Sequence, residues 1–378
     1  MSKRGNGEGT KITRLPDGRW WTRVTLPDGK RKAFYGAAQR EVREKRDAYL
    51  AELRAGRIST DAAQRTGKYL RDWLKSCRTI KPATRQDYER QVELATPLHK
   101  VRLDQLKAAH VQALYDALTE RGLSATSVVK VHRVLRIAFR RAVKLGYILR
   151  APTEMATPPK PDYVERPTLS AEQVRAFLES TKDHRLHALW VVILMQGLRS
   201  GEACGLRWQD IDFEAQRLNV RQTTQRLRGL GIVAGTPKTA RSRRTLDLLP
   251  ATVDALRAHR IRQLEERMAA PDWERAPQWA DQVFTTMTGG PLEPGALGYP
   301  IRRILATADL AHMRVHDLRH TYATLLSEAG CDLIDVQHAL GHSSYHLTAD
   351  TYTHARKERR SPATAHMEQL FPATKEVG

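Results

Sequence analysis

Four stretches in the second half of the chain gather residue types that could act on one charged substrate. They are QGLRSGEACGLRWQDID at 196–212, TPKTARSRRTLDL at 236–248, VHDLRHTYAT at 315–324 and LGHSSYHLTADTYTH at 340–354. Taken singly, each has an ordinary structural reading. Arg199 and Glu202, at i and i+3, fit a helix-surface ion pair, and Lys238 sits in a turn-like context where lysines are common. His316 with His320 and His338 with His342 are HxxxH pairs, but the zinc pattern built on that spacing needs a glutamate after the first histidine. Here Asp317 and Ala339 stand in those places, so no metal is expected.

Taken together, the four stretches resemble the catalytic domain of the tyrosine recombinases, and that resemblance implies the breaking and rejoining of a phosphodiester, a reaction that these residue types suit. A tyrosine phenol can attack phosphorus and leave a phosphotyrosine whose bond energy is kept for rejoining. Its unperturbed pKa of about 10 means that it needs help. Negative charge builds on the nonbridging oxygens, and Arg199 and Arg319 are permanently charged, planar and bidentate, as that charge requires. Glu202, on the same helix face as Arg199, is suited to orienting its guanidinium. The chemistry calls for no metal, nucleotide or redox cofactor.

Charge points to the same class of substrate. The chain has 378 residues and a net charge of +21, which implies a polyanionic partner. Residues 1–60 carry 15 basic and 7 acidic groups, residues 61–160 carry 20 and 9, and residues 161–378 carry 28 and 26. The front of the chain is therefore expected to grip nucleic acid while the back does something else. A generally arginine-rich composition would explain the preference for arginine over lysine, but not this gradient. Cys77, Cys204 and Cys331 are far apart and odd in number, which fits a reducing cytoplasm rather than a disulfide framework. No run of about 18 apolar residues suggests a membrane span, and MSKRGNGEGTK does not read as a secretory signal.

The elements that must position these residues can be anticipated. KITRLPDGRWWTRVTLPDGKRKAFYG contains LPDG at 15–18 and again at 26–29. Pro, Asp and Gly make turns, so three short strands are expected to carry Trp20, Trp21, Val24, Phe34 and Tyr35. A charged helix follows and should end at Gly56. Arg19, Arg23, Lys30, Arg31 and Lys32 on this small sheet are candidate DNA contacts, although a purely structural cap is the plainer alternative. Residues 66–150 read as helical. In SATSVVKVHRVLRIAFRRAVKLGYI, capped by Ser124 or Thr126, Val131, Val134, Leu135, Ala138, Phe139, Ala142 and Leu145 share one face. Lys130, Arg133, Arg136, Arg140 and Lys144 fall opposite, an arrangement suited to phosphates or simply to solvent. The proline-rich 151–167 reads as a linker. After it, Ser170 and Gln173 form a capping box, and helices then alternate with a β stretch around 217–249.

In type, order and local context, Arg199 in GLRSGE, Lys238 in TPKT, His316 and Arg319 in HDLRH, His342 in LGHSS and Tyr352 in TYTH resemble the catalytic signature of the tyrosine recombinases, the family of phage integrases. Gln196 departs mildly, standing where threonine is frequent. The resemblance implies a multidomain, mainly α chain. It would have a three-stranded arm-type DNA-binding module (1–60), a helical core-binding domain (66–150), the linker (151–167), a mixed α+β catalytic domain (168–365) and a C-terminal tail (366–378). It also implies that Tyr352, rather than Tyr345, is the nucleophile, with Tyr322 in the core. Lys238 would protonate the departing 5′-oxygen, and His316 and His342 would hydrogen-bond the phosphate, His316 also assisting the phenol. Gly341 is expected to end a helix and turn His342 inward.

Such an enzyme would integrate and excise a phage or mobile element in a bacterial cytoplasm through a Holliday junction. Its partners would be core-type and arm-type duplex sites and other copies of itself in a homotetramer. A directionality factor and a host DNA-bending protein are candidate accessories, and the tail, with Met367 and Phe371, could pack on a neighbouring protomer. Rival readings are a chromosome-dimer-resolving recombinase of the same family, a non-catalytic DNA-binding regulator on the same scaffold, and a type IB topoisomerase. The strand module argues against the first and third, and the complete residue set against the second.

Overall fold

A computed structural model describes residues 10–26, 31–54, 64–162, 166–237, 242–274 and 276–341. The chain forms two compact units, 1–163 and 164–378. The architecture is mainly helical, with a small N-terminal sheet and a mixed second unit. Among the described residues, no helix is long and apolar enough to cross a membrane.

The first unit opens with an antiparallel sheet of β1 (Thr13–Arg14), β2 (Trp20–Thr25) and β3 (Arg31–Gly36), followed by α1 (Gln39–Arg54). The first LPDG turn closes as its residue types dictate. Gly18 takes φ +87°, its N–H donates to the Leu15 carbonyl at 3.0 Å, and the Asp17 carboxylate accepts from the Arg19 N–H at 3.1 Å. Strand alternation then sorts the side chains. Val24 and Phe34 join Ile12 and Val42 in a small core. On the other face Trp21 stands opposite Tyr35 in the register, their rings stacked with centroids 6.4 Å apart.

A second, larger core belongs to α2 (Thr66–Ser76), α3 (Pro82–Leu94), α4 (Ala108–Glu120) and α5 (Ala125–Lys144). Ser124, not Thr126, caps α5 by accepting the Ser127 N–H. Val131, Val134, Leu135, Ala138, Phe139 and Ala142 are buried along its inner stripe. Leu145 departs from the expected face and is 42% exposed. It is the C-cap residue, its N–H still bonded to the Arg141 carbonyl at 3.0 Å, and the chain turns away at Gly146 with φ +68°.

The second unit is organised around α7 (His187–Gln196), which is buried nearly all round, as expected of a helix apolar on every side. Before it comes α6 (Ala171–Ser180), closed by the Ser170–Gln173 capping box; after it comes the short α8 (Ser200–Cys204). The β stretch resolves into two sheets. One has the order β4 (Ile211–Asp212), β5 (Arg217–Val220) and β8 (Arg244–Asp247), and the other is a hairpin of β6 (Thr223–Leu227) and β7 (Gly231–Gly235). Helices α9 (Pro250–Ala269), α10 (Gly298–Thr307), α11 (Val315–Glu328) and α12 (Leu333–Leu340) follow. Both α9 and α11 pack against α7.

Candidate active site

The site is assembled where α7 stops. Gly197 takes φ +61° at its C-terminus, a conformation that glycine adopts without penalty. A Cβ there would lie 2.4 Å from a ring carbon of Tyr322, so the bare backbone lets that α11 side chain close over the turn. Tyr322 also packs against the small core of Ala323, Leu333, Val336 and Leu340. Arg199 is then the N-cap residue of α8. A Cβ on Gly201 would meet the Thr223 hydroxyl at 2.7 Å and the Thr224 carbonyl at 2.8 Å, so α8 rests directly on β6. The glycine spacing of GLRSGE is thus dictated by packing.

Glu202 is the hub. Its Oε2 accepts from the Arg199 backbone N–H at 3.1 Å and its Oε1 from the Arg199 guanidinium at 2.6 Å. Arg244 reaches Oε2 at 3.0 Å and Arg319 approaches it at 3.7 Å. The side chains of Glu202 and Arg319 are 3% exposed and that of Arg244 is 7%, whereas Arg199 is 36% exposed. Burial would raise the Glu202 pKa, but the charges of Arg244, Arg199 and Arg319 outweigh it and hold the carboxyl below its ordinary range. Three guanidiniums share one carboxylate, so a positive surplus remains, and Arg199 is the member that carries it to solvent. An arrangement of this kind binds an anion.

The same two buried arginines fasten the end of α12. Arg319 donates to the Gly197 carbonyl at 2.6 Å and also to the Leu340 carbonyl. Arg244 Nε donates to the Ala339 carbonyl at 2.8 Å. Carbonyls in the last turn of a helix have no partner within it, and cations there are favoured by the helix dipole. Gly341 ends α12 with φ +62°, so the expected helix stop is present. The direction of His342 lies outside the described residues.

His316 and Arg319 share α11, whose N-terminus is fixed by Asp317. That carboxylate accepts from the Arg314 N–H at 2.9 Å and pairs with its guanidinium at 3.0 Å. His316 is exposed to solvent. Desolvation by the surrounding protein, with the charges of Arg319, Arg166 and Arg199, still lowers its pKa, so the ring is neutral near pH 7 and can exchange a proton. Its neighbour His320 lies ring edge to face at 5.1 Å between centroids and receives a contact from Arg166. Burial first, then Arg166 and His316, push His320 down to about 4. Among the described residues, no three His, Cys, Asp or Glu side chains gather to hold a metal.

Arg199, Glu202 and Arg319 are therefore brought together, with His316 close enough to Arg319 and Arg199 for their charges to act on it. Lys238, His342, Tyr345, Tyr352, Gly56, Lys30 and the tail lie outside the described residues. On the N-terminal sheet, Arg23 and Arg31 are exposed on the open face, Arg23 lying over the Trp21 ring at 5.2 Å. Arg19 is exposed, ion-paired with Asp17 and over the Tyr35 ring at 5.7 Å. Lys32 stands apart from Arg23 and Arg31 on the sheet. It sits on the opposite face, over the Tyr49 ring at 3.8 Å and 3.4 Å from Asp104. The period of two along β3 sends it there, one residue out of step with Arg31. Lys130, Arg133, Arg136, Arg140 and Lys144 are all exposed on α5.

Sequence reasoning passed over Arg244, although a signal was present. In Arg244-Thr-Leu246-Asp-Leu248, strand alternation puts the arginine on the same side as two leucines that are both buried. A charge on the apolar side of a strand asks for a buried partner, and Glu202 is that partner.

The phage integrase family model matches residues 167–359. A curated relative described as tyrosine recombinase XerC-like, from Caldanaerobacter subterraneus subsp. tengcongensis, is 31% identical over 96% of this chain and 99% of its own length. This chain therefore belongs to the phage integrase family, the tyrosine recombinases, and its activity is site-specific breakage and rejoining of DNA. In fold it is similar to the Tn1549 transposon integrase solved with a circular intermediate DNA, with a TM-score of 0.70 and 23% identity, covering 81% of this chain and 99% of that one. A lambda integrase tetramer solved on a Holliday junction aligns with a TM-score of 0.57 and 18% identity over 95% of this chain and 99% of that one.

Proposed function

We propose that the chain is the integrase of a phage or related mobile element, joining and excising it at attachment sites through a 3′-phosphotyrosine and a Holliday junction. The observation that carries this reading is the convergence of Arg199 and Arg319 on a buried Glu202, with His316 near enough to both arginines to feel their charges and a surplus of positive charge opening to solvent at Arg199. In this reading Arg199 and Arg319 hold the nonbridging oxygens of the scissile phosphate. Neutral His316 takes part in proton transfer from Tyr352, and Lys238 protonates the 5′-oxygen that leaves. His342 adds a hydrogen bond to the phosphate. No step needs a metal or a redox cofactor.

Residues 1–60 serve as the arm-site module, 66–150 as the core-site clasp, 151–167 as linker and 168–365 as the catalytic domain. The exposed basic face of α5 and the Trp21, Arg23, Arg31 and Tyr35 surface of the sheet support the first two roles. Four copies act on two duplexes in the bacterial cytoplasm, an arrangement supported by the lambda integrase tetramer solved on a Holliday junction. A directionality factor and a DNA-bending protein assist, and Met367 and Phe371 of the tail dock on a neighbour.

A nicked attachment-site duplex tests the chemistry, because the short fragment diffuses away after cleavage and traps the covalent adduct. Peptide mapping by mass spectrometry is expected to find a 3′-phosphate on Tyr352 and a released 5′-hydroxyl. Tight binding without an adduct would point to a DNA-binding regulator instead. A second reading, a dimer-resolving recombinase, is favoured by the name of the XerC-like relative, which aligns along nearly the whole chain. Deleting residues 1–60 separates the two. An integrase loses binding at separate arm sites and keeps covalent chemistry at core sites, whereas a dimer-resolving enzyme has no arm sites to lose.

A further inference from the structure

Arg244 is a buried arginine that belongs to none of the roles above, yet two parts of the site meet on it. Its Nη2 donates to Glu202 Oε2 at 3.0 Å and its Nε to the Ala339 carbonyl at 2.8 Å, while Nη1 reaches the Ser242 carbonyl at 3.3 Å. Its side chain is 7% exposed, and all three guanidinium nitrogens donate to acceptors within the protein. We propose that Arg244 is a positioning residue: by holding Glu202 from one side and the end of α12 from the other, it fixes the direction in which Arg199 meets the phosphate. The proposal rests on the reading of Arg199 as a phosphate ligand.

Glu202 steers Arg199 twice, through the backbone N–H and through the guanidinium. A carboxylate can steer only if its own plane is fixed, and Arg244, reaching it from β8, bonds Glu202 Oε2 at 3.0 Å. Arg319 lies farther away at 3.7 Å and is occupied by the Gly197 and Leu340 carbonyls. Without Arg244, Glu202 could rotate toward Arg319, and the Arg199 guanidinium would follow. The Ala339 carbonyl would also lose its donor. Only the planar fork of arginine spans both acceptors, and the single ammonium of lysine does not.

Adduct formation on the nicked duplex, compared between an ordinary scissile phosphate and a neutral methylphosphonate, tests this. Replacing a nonbridging oxygen by methyl removes the charge that a well-aimed arginine neutralises, so a defect in aiming should matter less on that substrate. With DNA saturating, Arg244→Gln is expected to slow adduct formation about 100-fold on the phosphate with Kd unchanged, since a misplacement of about 1 Å has that effect. On the methylphosphonate its deficit should shrink, as should that of Arg199→Ala. Arg244→Lys keeps the charge without the span and should behave like Arg244→Gln; it carries the comparison if the glutamine variant melts below the assay temperature. A deficit in Arg244→Gln that is equal on both substrates, while that of Arg199→Ala shrinks, overturns the proposal, as does a wild-type rate in Arg244→Lys. If the Arg199→Ala deficit does not shrink, the phosphate-ligand reading itself is wrong and the proposal falls with it.

Discussion

The arginines of α5 and those around Glu202 are the same side chain in two opposite settings. On α5, Arg133, Arg136 and Arg140 stand in solvent opposite a stripe of buried valine, leucine and phenylalanine. Arg140 lies 3.9 Å from Glu154, with both side chains exposed. Around Glu202, Arg244 and Arg319 are buried, and their donors are directed to one carboxylate and to the carbonyls of Gly197, Ala339 and Leu340. Exposed arginines act as screened charges that add up along a polyanion. Buried ones act as fixed geometry, whose loss leaves an unpaired partner.

Removing the proposed nucleophile tests the contrast most sharply. Tyr352→Phe should abolish covalent adduct on the nicked duplex and leave DNA affinity, measured by fluorescence anisotropy, within about twofold, because affinity resides in the phosphate contacts. Glu202→Gln comes next. It leaves three guanidiniums without their shared anion, so a loss of roughly 3 kcal/mol of stability in denaturant titration is expected, the range for breaking a buried pair. Cleavage at saturating DNA should slow as well. If the stability of this variant matches wild type, the cluster is not a fixed frame.

Replacing Arg133, Arg136 and Arg140 together by alanine should act on affinity alone. The slope of log K against log salt should fall by about 2.7, or about 0.9 for each phosphate no longer neutralised, with the cleavage rate at saturation unchanged. An unaltered slope would mean that this face does not meet DNA. The smallest effect concerns His320. An unfolded histidine titrates near 6.5, while burial and then Arg166 and His316 hold this one at about 4 in the folded chain. Between those values the unfolded chain binds the extra proton, so stability is full above pH 6.5 and is lost as pH falls toward 4. The Tm of His320→Gln should accordingly vary less between pH 7 and pH 5 than that of wild type, and an equal dependence would show that other groups carry it.

Much of the site was legible in the sequence because the relevant restraints are local. Gly341 announces a helix end, Ser170 with Gln173 announces a helix start, and Arg199 with Glu202 lie one helical turn apart. Lys32 alternates to the packed face of β3, one residue on from Arg31, and Leu145 stands exposed as the C-cap residue of α5; both placements follow from local geometry.

By itself, then, the sequence determined the family, the class of chemistry, the order of elements and the residue types that suit a phosphodiester, since all of these rest on type, order and near-neighbour spacing. The tertiary structure decided which arginines are buried, that one carboxylate serves three of them, and that Arg244 and Arg319 fasten the end of α12. These interactions join residues 42, 95, 117 and 21 positions apart. No local period of strand or helix relates side chains at such separations; only the packing of α8, β8, α11 and α12 around the end of α7 brings them within reach of one another.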